Sequence, residues 1–419
     1  MSFPAICTAL ALGVNTHVPP NDTLDLVGEL GTGWIRIDFN WDLVEPQQGQ
    51  IDYSLFDTLL DEAKARNLKV FATIGYGAAW ASVSGDKNAD GAHNDVPNAT
   101  EFRRFVRDSA ARYADGRVAA WGTWNEPNLG DFFEGSLQEW LDNVFTVSVD
   151  AIEEGCPSCS IVGPELASIG SDYATFLEAA LDSRGSKLDA VSFHIYASFP
   201  EDDDAAGKTK DSFYNKLEAH RVIDIGGNVV YEGPLSVREV LVAKGYSSLP
   251  VWITETGREA RLGYPAELTS QSRFVERVLI AQYTRPWWEK TFFYEITEEH
   301  PGGLWPDIHW GFALRTSDPD DSYADNFERK PVFDDLKGCI AAGGGGGIPG
   351  LGGAGGSAAG GAGAGGDGGG GPGGTSAGGV SVDEDEGSCG CRVGASPPST
   401  GLLALLAGLG LFRWRRRRS

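Results

Sequence analysis

The sequence predicts an α/β fold, a (β/α)8 TIM barrel, and three observations carry that expectation. Short apolar strand candidates alternate regularly with amphipathic helical stretches, the pattern of parallel βα units. The candidates number eight. No glycine-rich phosphate turn follows the first of them, which sets aside the rival doubly wound open sheet.

The strand candidates lie at 9–17, 34–41, 69–77, 118–126, 161–167, 188–197, 250–256 and 291–296. Between them, apolar residues recur at helical spacing: Leu55, Phe56, Leu59, Leu60 and Ala63, then Phe102, Phe105, Val106 and Tyr113. A third stripe runs through Leu137, Trp140, Leu141, Val144, Phe145 and Ile152. Residues 331–340 supply the helix that closes the ring. Residues 1–341 therefore form one catalytic-sized domain, about 335 residues of globular text, enough for a barrel with extended loops.

The chain changes character after that. Residues 342–388 are mostly Gly, Ala and Ser and end in an acidic run; with no apolar surface to bury, they read as a disordered tether. Residues 389–419 open with Cys389 and Cys391, continue through an apolar run at 401–412 and finish in an arginine cluster. Residues 393–412 carry no charge and could just cross a bilayer, with the arginines kept cytoplasmic. This tail resembles the myxobacterial-type C-terminal sorting signal. The resemblance implies a processing protease acting near Cys389 or Cys391, display at the cell surface, and contact with membrane only through the tail. A plain tail anchor gives the same topology. At the other end, residues 1–13 lack an early Lys or Arg and run straight into the first strand. Export then requires either a start codon set too late, the preferred reading, or double use of residues 6–12.

The net charge is −25 although six arginines and no acids lie in the last 28 residues. So acidic a domain repels nucleic-acid phosphates and anionic membrane surfaces, which excludes both as partners of the barrel. Cys7 precedes the first strand and Cys339 ends the last helix, so both fall at the amino-terminal rim and a disulfide between them is expected. Cys156 and Cys159 form a C-x-x-C without a second Cys/His pair, and read as a small disulfide or inert thiols rather than half a zinc or redox site.

Chemistry enters through Trp-Asn-Glu-Pro at 124–127 and Trp-Ile-Thr-Glu-Thr-Gly at 252–257. Each places one glutamate, Glu126 and Glu255, at the end of a strand, where barrel enzymes keep their sites. Pro127 forces the fourth strand to stop. Strict alternation sends Asn125 and Glu126 to opposite faces, so a bulged or twisted strand end is expected there. On the seventh strand Glu255 is read as continuing the inward series Val251, Ile253. Two such carboxylates suit retaining glycoside hydrolysis: one protonates the leaving oxygen, the other attacks the anomeric carbon. Asn125 is expected at the sugar 2-hydroxyl. Tyr196 is expected to hydrogen-bond Glu255, and His194, two residues away on the same face, to hold a sugar hydroxyl or a neighbouring acid. Arg36 is expected to keep Glu255 ionised, with Asp38 as its alternative partner. Trp80, Trp305 and Trp310 offer rings for stacking on sugars or for loop cores. The segment from 198 to about 232, with Asp202, Asp203 and Asp204, reads as a surface loop or a lid. No metal and no cofactor are expected.

These residues together resemble the clan A glycoside hydrolases, closest to family 39 (β-xylosidase and α-L-iduronidase relatives), with family 5 cellulase-like enzymes next. The matching text is Arg36-Ile-Asp-Phe-Asn-Trp, Glu45-Pro46 with Gly49 and Tyr53, Ile74-Gly75-Tyr76 with Trp80, and Trp121-Gly-Thr-Trp-Asn-Glu-Pro-Asn128. It continues with His194-Ile-Tyr196, Thr254-Glu-Thr256 and Lys330-Pro331. The resemblance implies Glu126 as acid/base and Glu255 as nucleophile of a carbohydrate-cleaving enzyme. It departs at the eighth strand, where Phe-Phe-Tyr-Glu stands in place of a tryptophan, so Tyr294 or Glu295 takes the place under the −1 sugar. A non-catalytic carbohydrate-binding surface protein and a transglycosylase are the rival functions.

Overall fold

Eight strands close into a parallel barrel in sequential order. They are β1 (Ala11–Asn15), β2 (Trp34–Asn40), β3 (Lys69–Gly75), β4 (Ala120–Gly122), β5 (Ser160–Ala167), β6 (Ala190–His194), β7 (Val251–Thr256) and β8 (Trp288–Phe293). The computed structural model describes residues 3–83, 85, 93–168, 172–196, 216–223, 226–298, 309–316 and 326–342. Of the tether and tail expected at 342–419 all but residue 342 lie outside the described residues, as do the three aspartates at 202–204 and Trp305.

The helical stripes read from sequence face the sheet. In Ser54–Ala65 the buried residues are Phe56, Leu59, Leu60 and Ala63, and in Ala99–Arg112 they include Phe102, Phe105 and Val106. Leu55 departs from its stripe and is exposed. Pro331–Ala341 completes the ring, started by a proline whose missing N–H costs nothing at a helix N-terminus. Cys7 and Cys339 are joined, with Cα atoms 5.8 Å apart, which ties the first helix, Phe3–Ala9, to this last one. Cys156 and Cys159 are also paired. Among the described residues no helix is long and apolar enough to cross a membrane.

The barrel interior is divided by depth. Its amino-terminal end is filled by Phe71, Ala120, Val162, Ala190, Trp252 and Phe292, with Trp34 against them. Gly13 makes room for this plug, since a Cβ there would sit 2.5 Å from the Phe292 ring. Above it the inward positions turn polar: Asn15, Arg36, Thr73, Glu165, Ser192 and His194 are all buried.

The position of Trp252 corrects the expected register of β7. Its ring meets Phe71 and Trp34 from across the barrel, at centroid distances of 5.7 and 5.6 Å, so Trp252 points inward and Val251 and Ile253 face the helices. Glu255 would then also face outward, but the ladder shifts between Phe193↔Ile253 and His194↔Glu255, and this bulge turns it back into the barrel. A second shift lies between Gly163 and Leu166 on β5, and it delivers Glu165 inward in the same way.

β4 is the other departure. It ends at Gly122, well short of Glu126. Trp124 (φ 131°) and Glu126 (φ 42°) occupy left-handed backbone that side chains rarely adopt. This non-strand turn, not a bulged strand end, brings both Asn125 and Glu126 to the barrel mouth.

Candidate active site

Arg36 organises the centre of the site. Four of its N–H donors make hydrogen bonds: Nε to Glu165 Oε2 (2.9 Å), Nη1 to Asn15 Oδ1 (2.9 Å) and Glu255 Oε1 (2.8 Å), and Nη2 to Asn125 Oδ1 (2.8 Å), with Nη2 also 2.8 Å from Glu165 Oε2 in the ion pair. The Asn15 amide donates onward to the Thr254 carbonyl at 3.1 Å, which ties β1 to the bulge under Glu255. Asp38 is not the partner of Arg36. It accepts from His17 Nδ1 at 2.8 Å instead, because β2 projects it one layer higher, at the mouth.

Glu255 is 8% exposed and both its oxygens are occupied, Oε1 by Arg36 and Oε2 by the Tyr196 hydroxyl at 2.8 Å. Trp310 packs edge-on against Tyr196, with centroids 5.0 Å apart, and fixes the phenol in turn. Gly257 lets β8 approach: a Cβ there would lie 2.2 Å from the Tyr294 carbonyl oxygen.

Glu126 differs in every respect. Burial raises its carboxyl pKa above the ordinary range and the negative Glu255 adds to this, against the opposing pull of His194 and Arg36. His194 Nδ1 and Glu126 Oε1 are 2.8 Å apart. Burial alone would depress the His194 pKa, but the charge of Glu255 and the contacts with Glu126 and Glu165 raise it to about 9. His194 is therefore an imidazolium at neutral pH and donates to Glu126. Its role is to hold the neighbouring acid rather than a sugar hydroxyl. The Glu126 backbone N–H donates to the Glu165 carbonyl (3.0 Å), and Asn128 exchanges two hydrogen bonds with Ala167, so the turn after β4 is pinned to the end of β5.

One acceptor or ring-nitrogen atom each from Glu126, His194 and Glu255 lie within 4.8 Å of one another. A divalent cation among them would have to displace the His194 proton and sit beside a guanidinium. The donor set thus fits proton transfer better than metal binding. The two glutamates each present an oxygen within 4.8 Å of the other's.

The remaining expected residues are placed as follows. Asn125 holds Arg36 through Oδ1 and donates to the Tyr76 hydroxyl at 3.2 Å, which leaves one amide hydrogen for a ligand. Tyr294 packs edge-on to both Tyr196 and His17. Glu295 accepts from His17 Nε2 at 3.1 Å. Asp38, His17 and Glu295 thus form a polar wall where β1, β2 and β8 end. Trp80 donates to the Glu45 carbonyl at 2.9 Å and packs against Trp41 in the loop after β3. No described contact joins it to the glutamates. Lys330 is buried in an ion pair with Glu298 at 2.6 Å, under the loop that follows β8.

Sequence reasoning passed over Glu165, His17 and Asn15. Glu165 carried a visible signal, an acid inside the apolar run Ile-Val-Gly-Pro-Glu-Leu-Ala, which is the same anomaly that marked Glu255.

The family model described as glycoside hydrolase 42, β-galactosidase, matches residues 20–155, a stretch that contains Arg36 and Glu126. A β-xylosidase of Geobacillus stearothermophilus is 24% identical over 213 residues, which is 49% of this chain and 40% of the relative. The chain is similar to the clan A glycoside hydrolases near family 39. The solved family 39 β-xylosidase of Caulobacter crescentus superposes with a TM-score of 0.57 at 19% identity, covering 79% of this chain and 71% of that one. A family 39 glycoside hydrolase from Bacteroides cellulosilyticus gives 0.54 at 18% identity, covering 79% and 63%. Likeness at these identities shows the shared barrel fold. The aligned part of the chain spans well under half the length of the Geobacillus relative.

Proposed function

We propose that this protein is a retaining glycoside hydrolase that cleaves β-glycosidic bonds by double displacement. The observation that carries the reading is the asymmetry of two glutamates whose oxygens approach within 4.8 Å. Glu126, its pKa raised by burial and by the charge of Glu255 against the opposing pull of His194, suits the general acid; Glu255, clamped between Arg36 and Tyr196, suits the nucleophile.

In the first step Glu126 gives its proton to the glycosidic oxygen while Glu255 attacks the anomeric carbon. The new Glu126 carboxylate keeps the His194 N–H bond, so the negative charge formed there is met without reorganisation. In the second step Glu126 takes a proton from water, which attacks the glycosyl ester and frees Glu255 to return to Arg36 and Tyr196. The spare amide hydrogen of Asn125 faces the sugar 2-hydroxyl, and the Asp38–His17–Glu295 wall offers acceptors to other hydroxyls. Because two of the named relatives are β-xylosidases and the matching family model is described as β-galactosidase, β-xylosides and β-galactosides are the first substrates to try.

Proton NMR of the first-formed sugar from an aryl β-xyloside or β-galactoside tests the reading. Retention predicts the β-anomer first, with the α-anomer growing in by mutarotation. An α-anomer first excludes double displacement.

The division into a barrel at 1–341, a tether at 342–388 and a sorting tail at 389–419 belongs to the same proposal, as does processing of that tail at an outer cell surface. Two disulfides support an oxidising location. Detection of the barrel on intact cells by a non-permeant label, lost on deletion of 389–419, is the expected result.

A further inference from the structure

Three buried carboxylates, Glu126, Glu165 and Glu255, surround two buried cationic side chains, Arg36 and His194. Two of the acids have tasks in the proposed reaction, and Glu165 has none. It is fully buried, it arrives through a bulge in β5, and its backbone is left-handed at φ 54°. Such a placement is costly unless the group is used.

Its contacts show how it is held. Oε2 accepts from Arg36 and from the Thr73 hydroxyl at 2.9 Å. Oε1 has no hydrogen-bond partner and faces Gly122, where a Cβ would stand 2.0 Å away and force the carboxylate to shift. His194 Nε2, also without a hydrogen-bond partner, lies 3.8 Å from Glu165 Oε2. The opposite ring nitrogen, Nδ1, is the one bonded to Glu126. The charged groups facing His194 are Glu126 from the turn after β4, Glu165 from β5 and Glu255 from β7 at 3.5 Å, with Arg36 of β2 bonded to the last two.

We propose that Glu165 is a positioning residue for the reaction assigned above: its carboxylate keeps His194 cationic beside Glu126 and braces Arg36 against Glu255. One side chain that cannot touch substrate thereby sets both glutamates. The inference rests on the retaining reading for its catalytic consequence, but the histidine charge is measurable without turnover.

The test uses Glu165→Gln in the full chain, which preserves size and one oxygen to accept from Arg36. Nitrogen-15 NMR of the labelled imidazoles follows the His194 titration, and the same variant is assayed on an aryl β-glycoside across pH. The expected result is a His194 midpoint lowered by about one pH unit or more, and an alkaline limb of kcat that moves down with it. At neutral pH kcat should fall about 10-fold or more, while KM stays within about 3-fold. If the glutamine variant fails to fold, Glu165→Asp retains the charge and is expected to keep the histidine midpoint within about half a unit of the parent. An unmoved His194 titration and pH profile in a folded variant, accompanied only by lower thermal stability, overturns the proposal. Absence of any turnover or trapped intermediate in the parent protein defeats the hydrolase reading instead, and the histidine titration still decides the role of Glu165.

Discussion

Arg36 and Glu255 are joined by a hydrogen bond of 2.8 Å in which the guanidinium is itself fixed on its other edge by Glu165. The nucleophile proposed here is therefore oriented by a cation that has no freedom to move. Replacing Arg36 with Met removes that cation and leaves His194 as the remaining counter-charge facing Glu165 and Glu255. Breaking a buried pair in this way costs about 3–5 kcal/mol, so urea unfolding of Arg36→Met should show a loss of that order. Arg36→Lys keeps the charge but not the five donors, and should recover part of the stability with little of the activity.

Glu126 as general acid predicts a dependence on the leaving group. Glu126→Ala should lose about 10²–10⁴-fold in kcat on a substrate with a poor leaving group and much less on a dinitrophenyl glycoside. Azide should then rescue turnover and yield a β-glycosyl azide. Equal losses on both substrates contradict the assignment.

The His194 charge predicts a pH dependence of stability. Its folded-state pKa, about 9, lies above its ordinary value of 6.5, so the folded protein binds the extra proton. The stabilisation is full below pH 6.5 and is lost as pH rises through 9. Unfolding free energy measured by urea at intervals from pH 6 to pH 9.5 should decline across this window, and the decline should be shallower in His194→Gln.

Tyr196 donates to the Glu255 oxygen that Arg36 leaves free. Tyr196→Phe removes this one bond and keeps the ring packed against Trp310. Activity should fall about 10-fold or more, with thermal stability changed by no more than about 1 kcal/mol.

The Cys7–Cys339 link spans 332 residues of chain. In the chain-entropy view a loop of that length restricts the unfolded state by on the order of 5 kcal/mol. Thermal unfolding of Cys7→Ser should occur at a clearly lower temperature than that of the parent, and a reducing agent should abolish the difference.

The barrel was legible because its strands are buried on both faces and so read as apolar runs, each bounded by a helix of the right period. Glu126 and Glu255 stood out as acids at the ends of such runs. What escaped was the register. A single bulged residue flips a strand from one face to the other, and nothing in Trp-Ile-Thr-Glu-Thr records that Trp252 rather than Ile253 points inward. The same kind of bulge hid Glu165 on β5. The pairing of Asp38 with His17 was out of reach for another reason: it depends on how far two adjacent strands are staggered, which their sequences do not state. Strand ends also shifted, most at β4, where left-handed Trp124 and Glu126 replace the extended backbone that the sequence suggested.

The central claim is that Glu255 becomes covalently attached to the sugar. Incubation with a 2-fluoro β-glycoside, followed by proteolysis and mass spectrometry of the full chain, tests it most directly. The account predicts one added glycosyl group, on the peptide containing Glu255 and absent from Glu255→Gln. A label on Glu126, Glu165 or any other carboxylate contradicts it.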